Sequence, residues 1–275
     1  MYEFIKTGAR RCFYAEGAGL AASGTENGRI SVYPPCDGPF DLFPADGGRI
    51  ILCRAGDRLV LLSGGEARPL LSVTPPAAIG TRVRVVPCGQ DVLGFYTLLD
   101  GGGLLLAHSL THPDGGGRVL RPLCGSGPLF DAVPLGGGVI CLTADEDGSL
   151  SVILPAAQYG NAPPAFPLLK AGEVSSVALS AEGGIYAAIL CRDRLFAVSV
   201  DLERRRAGRI FDICRSCLTY ALCGSSLYYM KDGHCLISDL RAPRSSPRRA
   251  EGELLGTAKV FSGGKYDLVP VLSSE

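Results

Sequence analysis

The chain has 275 residues, 47% of them hydrophobic, and its 27 Lys plus Arg balance 27 Asp plus Glu for a net charge of zero. That composition excludes disorder over most of the length, and the neutral balance gives no global attraction to nucleic acid or membranes. Apolar runs stop after a few residues at Gly, Pro or Asp, far short of the roughly 18 that a membrane-spanning helix needs.

In chain order, the first residues, MYEFIKTGARRCFYAEG, carry charges but no apolar stretch of signal-peptide length, which predicts a cytoplasmic protein. From Gly17 onward one unit recurs. A Gly-rich turn leads into an apolar strand, an acidic or amide turn, and a second apolar strand. The copies read GAGLAASGTENGRISVY, GGRIILCRAGDRLVLL, GQDVLGFYTLLDGGGLLLAH, GGGVICLTADEDGSLSVIL, GGIYAAILCRDRLFAVSV and GSSLYYMKDGHCLISDL, with a partial last copy, GGKYDLVPVL. Their Gly turns begin near Gly17, Gly47, Gly89, Gly136, Gly183, Gly224 and Gly263. Strand-built repeats of about 40–50 residues point to a β-propeller with one four-stranded blade per repeat.

A short run precedes each of five Gly turns: Phe40 to Phe43, Val83 to Val86, Phe130 to Val133, Ser176 to Leu179 and Thr219 to Leu222. Pro44, Pro87 and Pro134 close three of them, as suits a strand end, because Pro cannot donate to a ladder. A fourth segment, such as Val119 to Leu123 or Arg209 to Ile213, follows each hairpin. Asn27-Gly28, Asp147-Gly148 and Asp232-Gly233 supply residues that tolerate positive φ in tight hairpins. The middle strands are apolar on both faces, as expected of sheets sandwiched between neighbours. Ala207 to Leu222 has room for one helical turn.

The expected fold is therefore all-β: a single propeller domain over 1–275, seven-bladed, with six blades as the alternative. The N-terminal run Tyr2 to Ile5 is expected to join the C-terminal blade and close the ring, which removes an exposed sheet edge. A two-sheet sandwich accommodates the regular spacing poorly. In general layout the pattern resembles the WD-repeat propellers across nearly the whole chain. The resemblance is one of architecture: the chain has no Trp, so the Trp-Asp dipeptide is missing and no family residues carry over.

Candidate chemistry is sparse. Of the 11 cysteines, Cys53, Cys141, Cys191 and Cys235 sit in apolar strand runs, where a thiol behaves as a small hydrophobe. Cys214 and Cys217 form a lone C-x-x-C, followed by Cys223, His234 and Cys235. These fall in different strand layers, so no metal site is expected. His108 and His112, with Asp114, have a spacing that converges on a helix but not along a strand and loop.

Asp41, Arg84 and Asp131 occupy similar places in three successive innermost strands. They are the candidates for lining a central channel, either as a ligand site or as an ion-pair ring. No nucleophile, base and orienting group occur together, so no reaction class follows and no cofactor is expected.

The strongest local signal is arginine, 22 of the 27 basic residues. Arg204, Arg205, Arg206 and Arg209 follow the third strand of the fifth copy. Arg241, Arg244, Arg248 and Arg249 follow the third strand of the sixth. Equivalent loops on adjacent blades emerge on one face, which predicts a positive patch suited to an anionic partner. Few aromatics interleave, which disfavours single-stranded nucleic acid. The expected partner is another protein with an acidic or phosphorylated surface, with no membrane or metal involved. An enzyme or small-ligand site at the channel is the alternative.

Overall fold

The computed structural model describes the backbone of the strands named below. It describes the side chains of residues 86, 129–154, 164–242, 244–254, 257, 268–270 and 272. The architecture is all-β. The chain opens with β1 (Phe4–Thr7), β2 (Arg11–Glu16), β3 (Gly19–Gly24) and β4 (Ile30–Tyr33). Then come β5 (Phe40–Ala45), β6 (Gly48–Ala55), β7 (Arg58–Ser63) and β8 (Glu66–Ser72), and β9 (Ile79–Pro87), β10 (Val92–Leu99), β11 (Gly102–Ser109) and β12 (Val119–Leu123). The central groups are β13 (Leu129–Leu135), β14 (Gly138–Ala144), β15 (Ser149–Ile153) and β16 (Ala165–Lys170), followed by β17 (Val174–Ser180), β18 (Tyr186–Cys191), β19 (Arg194–Asp201) and β20 (Arg206–Cys214). The last are β21 (Tyr220–Cys223), β22 (Ser226–Lys231), β23 (His234–Asp239) and β24 (Arg248–Arg249), then β25 (Leu254–Ser262) and β26 (Lys265–Leu272).

Among the described residues, five sheets each contain four consecutive strands: β5–β8, β9–β12, β13–β16, β17–β20 and β21–β24. Their pairing is antiparallel throughout, so each is a meander that needs only hairpin turns. Four of the five runs expected before Gly turns fall within the first strands of these sheets, the fifth overlaps β21 from Tyr220 to Leu222, and Val119 to Leu123 is a fourth strand. A sixth sheet runs β26-β25-β1-β2-β3-β4. Here β1 is antiparallel to β2 and parallel to β25, with Phe4 opposite Ala258 and Ile5 opposite Lys259. The helical turn expected within 207–222 does not form. β20 runs to Cys214 and β21 starts at Tyr220, so the segment's short apolar spacings are carried by strand alternation instead.

The alternation of side chains explains why the middle strands carry apolar residues on both faces. Along β18, Ala187 and Ile189 face the β13–β16 sheet, packing with Ile140, Leu142, Leu150 and Val152 in one fully buried cluster. Tyr186, Ala188 and Leu190 face the other way and join Leu222, Leu227 and Tyr229 of the β21–β24 sheet. The pattern continues on both sides. Val86 of β9 packs with Phe130, Ala132 and Cys141, and Ala221 and Cys235 pack with Leu254 of β25. The β13–β16, β17–β20 and β21–β24 sheets thus bury both faces against their neighbours, at roughly 1.5–3 kcal/mol for each large aliphatic side chain removed from water.

Turn chemistry sets the registers. Asp232 and Gly233 both take positive φ, 50° and 76°, as a two-residue hairpin turn between β22 and β23 requires. Gly148, with φ of 80°, ends a turn closed by its own N–H on the Asp145 carbonyl. A side chain there would also run into the Gly172 carbonyl, so glycine is required twice over. Asn27-Gly28 lies outside the described residues.

Candidate binding surface

The first strands of adjacent sheets lie side by side: β5 beside β9, β9 beside β13, β13 beside β17, and β17 beside β21. Asp41, Arg84 and Asp131 occupy equivalent registers, opposite Leu52, Tyr96 and Leu142 of their second strands. The side chains of Asp41 and Arg84 lie outside the described residues. Asp131 is buried, 8% exposed. Its Oδ2 accepts a hydrogen bond of 2.8 Å from the backbone N–H of Leu179 on β17. The carboxylate therefore ties one sheet to the next. One step further round, the hydroxyls of Ser176 on β17 and Tyr220 on β21 are hydrogen-bonded at 2.9 Å.

Both arginine-rich connections are exposed, and both join a third strand to a fourth. The β19–β20 turn carries Arg204 and Arg205, with Arg206 and Arg209 in the first half of β20. The β23–β24 connection carries Arg241 and Arg244 and ends in Arg248 and Arg249, which are β24 itself. Each third strand closes on the same dipeptide, Asp201-Leu202 in one and Asp239-Leu240 in the other.

The two aspartates do the same work. Asp201 accepts from the backbone N–H of Arg204 at 3.0 Å and pairs with its guanidinium at 3.7 Å. Asp239 accepts from the backbone N–H of Arg241 at 3.0 Å and pairs with its guanidinium at 3.3 Å. The leucines anchor the turns from below, Leu240 being 3% exposed in the core. A repeated Asp-Leu is thus the sequence signal for where the arginine turns begin.

The remaining arginines are presented outward. Arg205 holds a positive φ of 49°, a conformation an L-residue adopts at a cost of about 1–2 kcal/mol. The Arg209 guanidinium lies over the Phe211 ring, 5.4 Å from its centroid, and the backbone N–H of Arg209 donates to Ser199 Oγ at 2.8 Å. Among the described residues, Arg205, Arg206, Arg244 and Arg249 join no ion pair. Asp239 is held below its ordinary carboxylate range, first by the Arg241 side-chain hydrogen bond, then by the Arg241 N–H, with Arg248 adding a weaker attraction. Both ends of the β23–β24 connection thus act on one carboxylate.

The two sheets meet at this end of their strands. Glu182 of the β17–β18 turn lies beside Gly224 of the β21–β22 turn. Tyr186, which opens β18, is within electrostatic reach of Arg241.

The cysteines belong to the interior. Cys214 and Cys217 both lie in the core shared by the β17–β20 and β21–β24 sheets, and the Cys217 thiol donates to the Thr219 carbonyl at 3.4 Å. Burial pushes Cys217 up to about 12, helped by the neighbouring Cys214. Burial likewise pushes Cys223 up to about 12. Such thiols are poor nucleophiles and poor ligands at neutral pH. Cys235 is buried in a separate cluster and His234 is exposed. Among the described residues, no group of three His, Cys, Asp or Glu is arranged to hold a metal. His108 lies in β11, but its side chain, and all of His112 and Asp114, fall outside the described residues.

No family model and no curated relative matches the chain. Solved structures do. The BBS1 N-terminal domain, determined in complex with ARL6, is 14% identical with a TM-score of 0.62, covering 95% of this chain and 83% of that one. Hsv2 of Kluyveromyces lactis is 10% identical with a TM-score of 0.60, over 98% of this chain and 89% of its own. AztD of Citrobacter koseri is 11% identical with a TM-score of 0.54, over 95% and 74%. All three are β-propellers, and the chain shares that fold. Among the described residues no helix is long and apolar enough to cross a membrane.

Proposed function

We propose that this protein is a seven-bladed, cytoplasmic propeller that serves as an interaction platform, binding an acidic or phosphorylated protein surface through its arginine-rich face. The seven-unit reading takes the five four-stranded sheets as five blades and divides the six-stranded sheet into the β1–β4 set and the β25–β26 hairpin. The parallel pairing of β1 with β25 supports a ring closed between them.

One observation carries the binding reading. Two successive sheets place exposed arginine clusters at the same connection, each set by an Asp-Leu turn, with the neighbouring turns of the two sheets in contact. Arginine forks suit carboxylate and phosphate. The aspartate partners are exposed pairs that exchange readily for a better acceptor. A protein partner also agrees with the BBS1 domain, which was solved with ARL6 bound. The channel reading draws less support, because the Asp131 carboxylate is already engaged by Leu179.

The test is charge reversal. Arg205, Arg206, Arg248 and Arg249 changed together to Glu should abolish binding of a fluorescent oligoglutamate peptide measured by anisotropy. Wild-type affinity should fall steeply with salt. Equal binding by the wild type and the reversed variant would remove the surface from consideration.

A further inference from the structure

We infer that Ser246 is a phosphorylation site for a proline-directed protein kinase, and that its phosphate switches off the arginine surface. The second half rests on the binding role proposed above; the first half does not. The sequence around it reads Arg244-Ser245-Ser246-Pro247-Arg248-Arg249. A proline directly after the acceptor, followed by basic residues, is the substrate pattern of proline-directed kinases. The proline has no N–H to satisfy in the kinase cleft, and the arginines pair with acidic kinase surface.

The structure supplies access. Residues 244–249 are exposed throughout. The connection is held by bonds within itself: Ala242 N–H to the Asp239 carbonyl at 3.1 Å, and Ser245 N–H to the Ala242 carbonyl at 3.0 Å. The chain rejoins the sheet at β24, two residues opposite Leu236 and Ile237, and at Ala250, whose N–H bonds to the Cys235 carbonyl. Ser246 and Pro247 therefore lie ahead of the sheet, and only the two-residue β24 has to lift for a kinase to read Arg248 and Arg249.

The two serines are not equivalent. Ser245 Oγ donates to the Ala242 carbonyl at 2.6 Å and closes the turn. Ser246 has no such bond among the described residues, and it alone precedes the proline.

In the transfer, Ser246 Oγ forms a bond to the γ-phosphorus of ATP as the bond to the β–γ bridging oxygen breaks. ADP leaves with the electron pair, and the hydroxyl proton passes to the kinase base. The product carries about −1.5 to −2 charge at neutral pH. Set between Arg244 and Arg248, its oxygens draw those guanidinium groups into bonds within the chain and repel an acidic partner.

The test uses the full chain with a purified proline-directed kinase and radiolabelled ATP. Wild type and Ser245→Ala should take up stoichiometric phosphate, and Ser246→Ala and Pro247→Ala should take up none. No incorporation into wild type, or full incorporation into Ser246→Ala, overturns the site.

Phosphorylated wild type should then bind oligoglutamate about tenfold more weakly, and kinase-treated Ser246→Ala should be unaffected. Unchanged affinity after phosphorylation overturns the switch while leaving the binding surface standing. If unmodified protein fails to bind oligoglutamate at all, the binding role fails, and the phosphate-uptake result still decides the site.

Discussion

Asp131 and Leu179 sit on the first strands of two adjacent sheets, and the carboxylate of one accepts the backbone N–H of the other at 2.8 Å. The bond fills a need that a propeller creates. A first strand has a ladder partner on one side only, so its outward N–H groups must find acceptors elsewhere.

Removing that acceptor should therefore cost more than an average hydrogen bond. Asp131→Ala leaves a buried N–H and is expected to destabilise the fold by about 2–3 kcal/mol, with Asp131→Asn costing less because an amide oxygen still accepts. Urea unfolding monitored by circular dichroism measures both. Alanine and wild type unfolding at the same midpoint would show the bond to be idle.

Arg205 is expected to trade stability for presentation. Its positive φ suits glycine, so Arg205→Gly should raise stability by about 0.5–1 kcal/mol while weakening oligoglutamate binding. Thermal melts and anisotropy on the same preparation decide it. A drop in melting temperature would mean the turn gains more from the arginine than its backbone loses.

Asp147 offers a pH readout. Hydrogen bonds from Lys170 and Ser149 lower its pKa from 3.8 to about 2. Because folding lowers this value, the stabilisation is complete above pH 4 and disappears as pH falls through about 2. Carboxyl-detected NMR should follow the midpoint, and Lys170→Met should move it back toward 3.8. A midpoint unaltered by that substitution would contradict the 2.8 Å pair.

Cys217 reports the opposite sign. Folding raises its pKa to about 12, so its contribution holds below the unfolded thiol range near 8.5 and is lost as pH climbs toward 12. At pH 8 roughly one thiol in ten thousand is ionised. Mass spectrometry after brief iodoacetamide treatment should find Cys217 unmodified in native protein and alkylated in urea. Rapid native labelling would be incompatible with its burial.

Much of the fold was legible because its physics is local. Gly-rich turns, Asp-Gly hairpins and runs with apolar residues on both faces each announce a sheet buried on both faces, and the strands fall where those runs lie. What could not be read was anything between sheets. Asp131 looked like a channel group because its position repeats as Asp41 and Arg84. Its Leu179 partner lies in another sheet, and backbone donors carry no side-chain signature. The arginine clusters are plain in the sequence, but the Asp-Leu pairs that fix them are not. A short acid followed by leucine is unremarkable until two copies are seen to end equivalent strands. The helical turn expected before Leu222 failed for a related reason: short apolar spacings fit helix and strand alike.

The pairing of Phe4 with Ala258 has a consequence for biogenesis. A ribosome releases β1 and β2 long before β25 exists, so β1 must wait with one edge open until the chain between Phe4 and Ala258 has been made. Such edges recruit stray strands. Between its emergence and the arrival of β25, the free edge of β1 is a place where a chaperone would act on the nascent chain.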